Sequence, residues 1–162
     1  TNSDIWVTPV NGNGPAVPFA RSPFNEFEAR ISADGRWLSY TSDESGRFEV
    51  YVRPFPAGPG KWRVSSAGGR APRWRPDGTE LFYLSLDGKL MAVTIRAKNA
   101  FEFDVAKPLF DARVREANGG MDYEVTRDGE RFLINEPVTV GVSLNVIADW
   151  RTVASPVENR PR

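Results

Sequence analysis

The chain has 162 residues, 40% hydrophobic and 26% charged, which allows an ordinary core and carries no compositional mark of disorder. Lys plus Arg and Asp plus Glu each number 21, a balance that argues against the basic footprint of a nucleic-acid binder. Cysteine and histidine are both absent, so disulfides, thiolate nucleophiles, a Ser-His-Asp triad and imidazole metal sites are excluded within these residues.

No apolar run reaches membrane-spanning length, so no membrane contact is expected of this segment. In chain order, the first expected element is the strand Asp4-Ile5-Trp6-Val7, and residues 1–20 read as two neighbouring strands of one sheet. A strand over 28–33 then runs into the turn Asp34-Gly35 and a second strand over 37–42. A third, over 48–54, opens with Glu49-Val50-Tyr51-Val52, and a fourth is expected over 61–66. The same order returns as 71–76, the turn Asp77-Gly78, 80–85, the hairpin turn Asp87-Gly88, 89–96, and 101–105 or a little beyond. It returns again as 121–126, the turn Asp128-Gly129, 131–136 and 143–149. Residues 151–162 are polar and Pro-containing, as in a frayed tail. Little reads as helix.

Two motifs drift along the chain together. The turn aspartates are 43 and 51 residues apart, with Ile31, Trp74 and Val125 three residues before them and Leu38, Leu81 and Phe132 four after. The strands opened by Ile5, Val50, Leu90 and Leu144 follow at steps of 45, 40 and 54. A period of roughly 40–45 residues is that of a four-stranded propeller blade. Asp-Gly suits the turn because Gly accepts positive φ and the Asp carboxylate accepts from nearby amides. Leu81-Phe82-Tyr83-Leu84 is continuously apolar rather than alternating, as a strand covered on both faces must be.

The reading is therefore an all-β chain of four-stranded antiparallel blades: strands c and d of one blade over 1–20, blades over 27–66 and 71–110, and strands a to c of a last one over 121–150. These make about three and a half blades, whereas closed propellers typically have about 4–8, so a fragment of a larger propeller is expected.

The repeat resembles that of TolB-like, WD-related β-propellers, with a Ser-Pro-Asp-Gly-Lys-x-Ile-Ala-Phe type motif and an Asp-Ile-Tyr-Val type strand. Arg75-Pro76-Asp77-Gly78 with Leu81-Phe82-Tyr83 is the best copy, and Asp4-Ile5-Trp6-Val7 matches the second element. Ala33 and Arg127 stand where the motif prefers Pro, and Ser143 and Asn145 replace the Asp and Tyr. Phe24-Asn25-Glu26-Phe27-Glu28-Ala29-Arg30, Glu49 to Pro56 and Asn145-Val146-Ile147-Ala148-Asp149-Trp150 look like the C-terminal propeller of bacterial proteins that begin with a serine/threonine kinase domain. The resemblance implies a sensory or protein-binding role and an extracytoplasmic location.

Asp34, Asp77 and Asp128, with Gly35, Gly78 and Gly129, are read as structural turns rather than a carboxylate ring, since they recur with the fold. The densest basic stretch is Gly69-Arg70-Ala71-Pro72-Arg73-Trp74-Arg75. Alternation puts Arg73 and Arg75 on one face of an inner strand, where with Arg70 they could grip a carboxylate or phosphate, or pair with acids of a neighbouring blade. The aligned positions hold Arg30 with Ser32, and Glu124 with Thr126. The loop Ser42-Asp43-Glu44-Ser45-Gly46 lacks the spaced ligands of a calcium loop, Gly12-Asn13-Gly14-Pro15 is no dinucleotide fingerprint, and Gly58-Pro59-Gly60-Lys61-Trp62 is no phosphate loop.

Catalytic, metal and cofactor residues are therefore expected to be none. The expectation is a non-catalytic binding or sensing module with a protein or peptide partner and no nucleic acid. The alternatives are a substrate-gating propeller of a hydrolase and a free-standing periplasmic scaffold.

Overall fold

The computed structural model describes residues 2–97, 100–112, 114, 123–135 and the strand 145–148. Among these residues every regular element is a strand. The elements are β1 (Ile5–Val7), β2 (Val17–Ala20), β3 (Glu26–Ile31), β4 (Trp37–Ser42), β5 (Glu49–Pro54), β6 (Trp62–Arg63) and β7 (Arg70–Trp74). They continue as β8 (Glu80–Leu84), β9 (Lys89–Arg96), β10 (Glu102–Phe103), β11 (Lys107–Asp111), β12 (Tyr123–Val125), β13 (Arg131–Ile134) and β14 (Asn145–Ala148).

Four sheets follow one another along the chain: β1-β2, then β3-β4-β5-β6 (the first blade), β7-β8-β9-β10 (the second) and β12-β13-β14 (the third). All pairings are antiparallel, and those within each blade's path join strands consecutive in the chain, so each blade is a meander. The inner-to-middle turn is built identically three times. Gly35, Gly78 and Gly129 donate their amides to Ser32, Arg75 and Thr126 carbonyls at 2.9, 2.8 and 2.8 Å. Each aspartate Oδ1 also accepts from the amide two residues on, at 3.1, 3.0 and 3.0 Å. The three glycines sit at φ of 71, 73 and 72°, a left-handed conformation that a side chain makes costly.

The outer edge of the second blade differs from the single strand expected near 101–105. The eight-residue β9 carries two short partners, β10 against Arg96 and Ile95 and β11 against Ala92 to Lys89, with a register shift between Pro108 and Phe110. Pro108 has no amide to give a ladder, and an edge strand with a bulge is where a sheet tolerates one. The blade thus begins at Arg70 and its outer edge runs on to Asp111. Residues 121–122, 149–150 and the expected tail over 151–162 lie outside the described residues.

The core is interleaved between the sheets. Ile5, Phe19 and Ala20 pack on Leu38, Tyr40 and Tyr51. Val50, Val52 and Val64 of the first blade meet Trp74, Leu81, Tyr83 and Val93 of the second. Phe82, Leu84 and Leu90 on the other face of the second blade meet Tyr123, Phe132 and Ile134 of the third. Successive residues of β8 therefore bury against different neighbours, which is why 81–84 is apolar without alternation. Leu81 and Phe82 are both fully buried, each stabilising the fold by about 1.5–3 kcal/mol relative to exposure.

Candidate functional site

Consecutive blades come together along their first strands, β3, β7 and β12. Two of these carry the same irregularity. The register shifts between Phe27 and Arg30 in β3 and between Arg70 and Arg73 in β7. At these bulges Glu28 and Ala71 take φ of 56 and 54°, unusual for residues with a Cβ. The surroundings hold them there. Glu28 Oε2 accepts from the Ala71 amide at 2.7 Å and from Thr41 Oγ1 at 2.8 Å. The Tyr123 hydroxyl donates to the Ala71 carbonyl at 2.9 Å. Ala71 is thus fixed by an acid of the first blade and a phenol of the third.

Two residues further on, Arg30, Arg73 and Glu124 occupy aligned positions. Arg73 is only 5% exposed although charged, and its Nη1 donates to the Pro72 carbonyl at 2.9 Å. Arg30 folds back the same way, onto the Ala29 carbonyl at 2.8 Å. Arg73 Nε lies 3.3 Å from Glu124 Oε2, an ion pair that lacks hydrogen-bonding geometry. Its guanidinium also sits 5.5 Å from the centroid of the Tyr123 ring. The Arg30 guanidinium is pulled below its usual pKa range, first by burial and then by the like charge of Arg73, against opposing attraction from Glu124 and Glu28. Two cations are therefore held beside one another on neighbouring inner strands.

The structure separates the three arginines of the basic stretch. Arg70 opens β7 opposite Leu84. Arg73 lies near the other end of β7, among the inner strands. Arg75 lies past the end of β7 and turns away to the third blade, meeting Glu130 at 2.7 Å, with Asp77 at 3.0 Å and Glu80 at 3.8 Å. The alternation argument fails at Arg75 because the strand ends at Trp74 and the turn redirects the chain. Glu28 and Tyr123 join this cluster beside the aligned charges Arg30, Arg73 and Glu124 that the sequence singles out. The available signal was position, since Glu28 and Ala71 stand six residues before Asp34 and Asp77.

The turn aspartates are engaged locally. Asp34 bonds Ser32 and Arg36, Asp77 bonds Thr79, and Asp128 bonds Thr126 and Arg131. Asp128 is lowered from 3.8 to about 2, chiefly by the Thr126 hydroxyl and then the Glu130 amide. For Asp34 and Asp77 burial pushes upward, but the hydrogen bonds of Ser32 and Arg36, and of Thr79, outweigh it and lower both. In the 42–46 loop, Asp43 accepts from the Asn25 amide and side chain at 2.8 and 2.7 Å, while Glu44 pairs with Lys61 at 2.6 Å.

With this geometry in hand, solved structures offer a comparison. A protein assigned as TolB from Agrobacterium tumefaciens is 19% identical, with a TM-score of 0.53, over 67% of this chain and 41% of that one. An oligogalacturonate lyase from Vibrio parahaemolyticus is 14% identical, with a TM-score of 0.50, over 85% of this chain and 39% of that one. The fold is that of a β-propeller. At such identities the likeness carries the fold and no activity. Over 92 residues the propeller is also 30% identical to Tricorn protease homolog 1 of Streptomyces coelicolor, covering 56% of this chain and 8% of that protein. No family model matches. The propeller chain thus spans about two fifths of the solved structures and under a tenth of the Tricorn homologue.

Proposed function

We propose that this chain is a non-catalytic binding module of a larger propeller protein, taking a carboxylate of a protein or peptide partner on Arg30 and Arg73. The observation that carries the reading is the pair of guanidiniums on adjacent inner strands, each bonded to its own preceding carbonyl, with Arg73 held almost fully out of water. A second carboxylate there relieves the repulsion between the cations and makes charge-assisted bonds. Titration with the capped dipeptide acetyl-Glu-Glu-amide tests this directly. Exchanging Arg30 and Arg73 together for Gln should weaken binding by about tenfold or more. An unchanged affinity in a folded variant overturns the reading.

The host that the repeat's resemblance implies is an extracytoplasmic sensor joined to a serine/threonine kinase. A second reading, an accessory propeller of a hydrolase, is favoured by the stretch similar to the Tricorn protease homologue. The full reading frame around these residues separates the two. A kinase domain followed by an apolar span of about 20 residues supports the sensor, and a hydrolase domain supports the accessory role.

A further inference from the structure

The boundary between the first and second blades and that between the second and third are built on the same turns, yet they are filled differently. Between the second and third blades, Arg75 lies against the next turn. A Cβ placed on Gly129 would come within 2.3 Å of Arg75 Nε, and Arg75 Nη2 reaches Glu130 at 2.7 Å and the Asp128 carbonyl at 3.4 Å. Between the first and second blades the residue aligned with Arg75 is Ser32, and a Cβ on Gly78, the counterpart of Gly129, would meet nothing within 4 Å. A cleft of about 590 Å³ opens in that place, lined by Ser32 and Trp37 on one side and by Trp74, Gly78, Thr79 and Ile95 on the other. The seam with no arginine at the position of Arg75 is the one with an open cleft, its rim crossed instead by Arg36, which donates to the Ala97 carbonyl at 2.7 Å.

We propose that this cleft receives an arginine side chain presented by a protein partner, which occupies the place that Arg75 fills in the neighbouring seam. The walls suit such a group. Trp37, standing where the other seam has Glu80, offers an indole face, and an arginine stem packs on indole and on Ile95 while its planar head stacks. The cations at the rim already have partners, those of Arg36 lying in the cleft lining itself. Arg36 bonds Asp34 and donates to the Ala97 carbonyl at 2.7 Å, and Arg96 bonds Asp104 at 2.6 Å. The lining also includes the carboxylates of Asp34, Asp77 and Glu102, so among the described residues acids outnumber bases at the mouth. Glu102 is exposed and has no ion pair among the described residues. Its carboxylate completes the cation site.

This site is separate from Arg30 and Arg73, so either assignment can fail alone. The test is titration of the full chain with acetyl-arginine-amide and with acetyl-citrulline-amide, which keeps the shape and loses the charge, followed through the indole NMR signals of Trp37 and Trp74. The arginine probe should shift both signals and bind about tenfold more tightly than the citrulline probe. Ser32→Arg, which tethers a guanidinium in the cleft, should abolish the shifts. Equal binding of the two probes, binding that survives Ser32→Arg, or no response of the wild-type chain would overturn the assignment. If Ser32→Arg does not fold, Glu102→Gln at the exposed rim decides, since it should weaken the arginine probe about threefold and leave citrulline unchanged. Equal effects on both probes would refute the role of charge. The Arg30 and Arg73 variants should leave this binding intact.

Discussion

The two seams that flank the second blade meet at one residue on the inner side, through different groups, and differ at the rim. On the inner side, one Ala71 peptide takes a carboxylate from the first blade and a hydroxyl from the third. At the rim, one seam is latched by Arg75 against the turn glycine, while the other is crossed by Arg36 to the Ala97 carbonyl and leaves a cleft above Gly78. A repeat protein can therefore hold every blade to one geometry and still vary what fills each junction, by changing a single side chain in the residue pair before the turn. What the fold requires is satisfied inside, which leaves the rim free to differ.

The comparison can be broken first at the packed faces. Phe82 is fully buried and meets Phe132 edge-on at 4.9 Å in the latched seam. Phe82→Ala should cost about 3–5 kcal/mol in chemical denaturation. Trp37 lines the cleft and is only partly buried, so Trp37→Ala should cost clearly less; equal costs would mean the open seam is packed as tightly as the latched one.

Next comes the stitching. Removing the Glu28 carboxylate leaves the amide of Ala71, a residue 2% exposed, without its acceptor. Glu28→Ala should destabilise by about 1–3 kcal/mol. A loss under a few tenths would show that the bulge holds itself.

The turn architecture was largely legible in the sequence because it depends on local chemistry. Asp-Gly at three aligned positions specifies the carbonyl-to-amide turn and its side-chain cap without help from elsewhere. The two bulges were not legible, because positive φ at Glu28 and Ala71 is imposed by partners some forty to fifty residues away, where local preference would have asked for Gly. The doubled outer edge was hidden for a similar reason, since it depends on β9 being long enough to host two short strands. Of the candidate site, Arg73 was visible as a charge in an apolar strand. The departure of Arg75 and the vacancy beside Ser32 appear only when neighbouring blades are set side by side.

A smaller effect sharpens the contrast at the rim. Gly78 and Gly129 have nearly the same φ, 73 and 72°, so Ala at either pays the same backbone strain, about 1 kcal/mol. Only at Gly129 does the new methyl meet Arg75. Gly129→Ala should therefore cost about 1 kcal/mol more than Gly78→Ala, and equal costs would remove the latch from the account.

The smallest effect is a pH dependence. Asp128 is held at about 2, below its ordinary 3.8. Its folded value is the depressed one, so its contribution to stability is complete above about pH 4 and is lost as pH falls toward about 2. Asp128→Asn should flatten the acid limb of stability between those values, and an unchanged acid limb would show that the turn does not depend on the carboxylate charge.

The central claim is that the cleft beside Ser32 is the vacant counterpart of the place Arg75 fills. Transplanting the latch tests it most directly: Ser32→Arg with Thr79→Glu recreates in the open seam the Arg75 and Glu130 pair of the other. In the folded variant Trp37 should become less accessible to an aqueous quencher. Trp37 still as accessible as before in the folded variant would mean that the two seams are not equivalent and that the cleft was not shaped for an arginine.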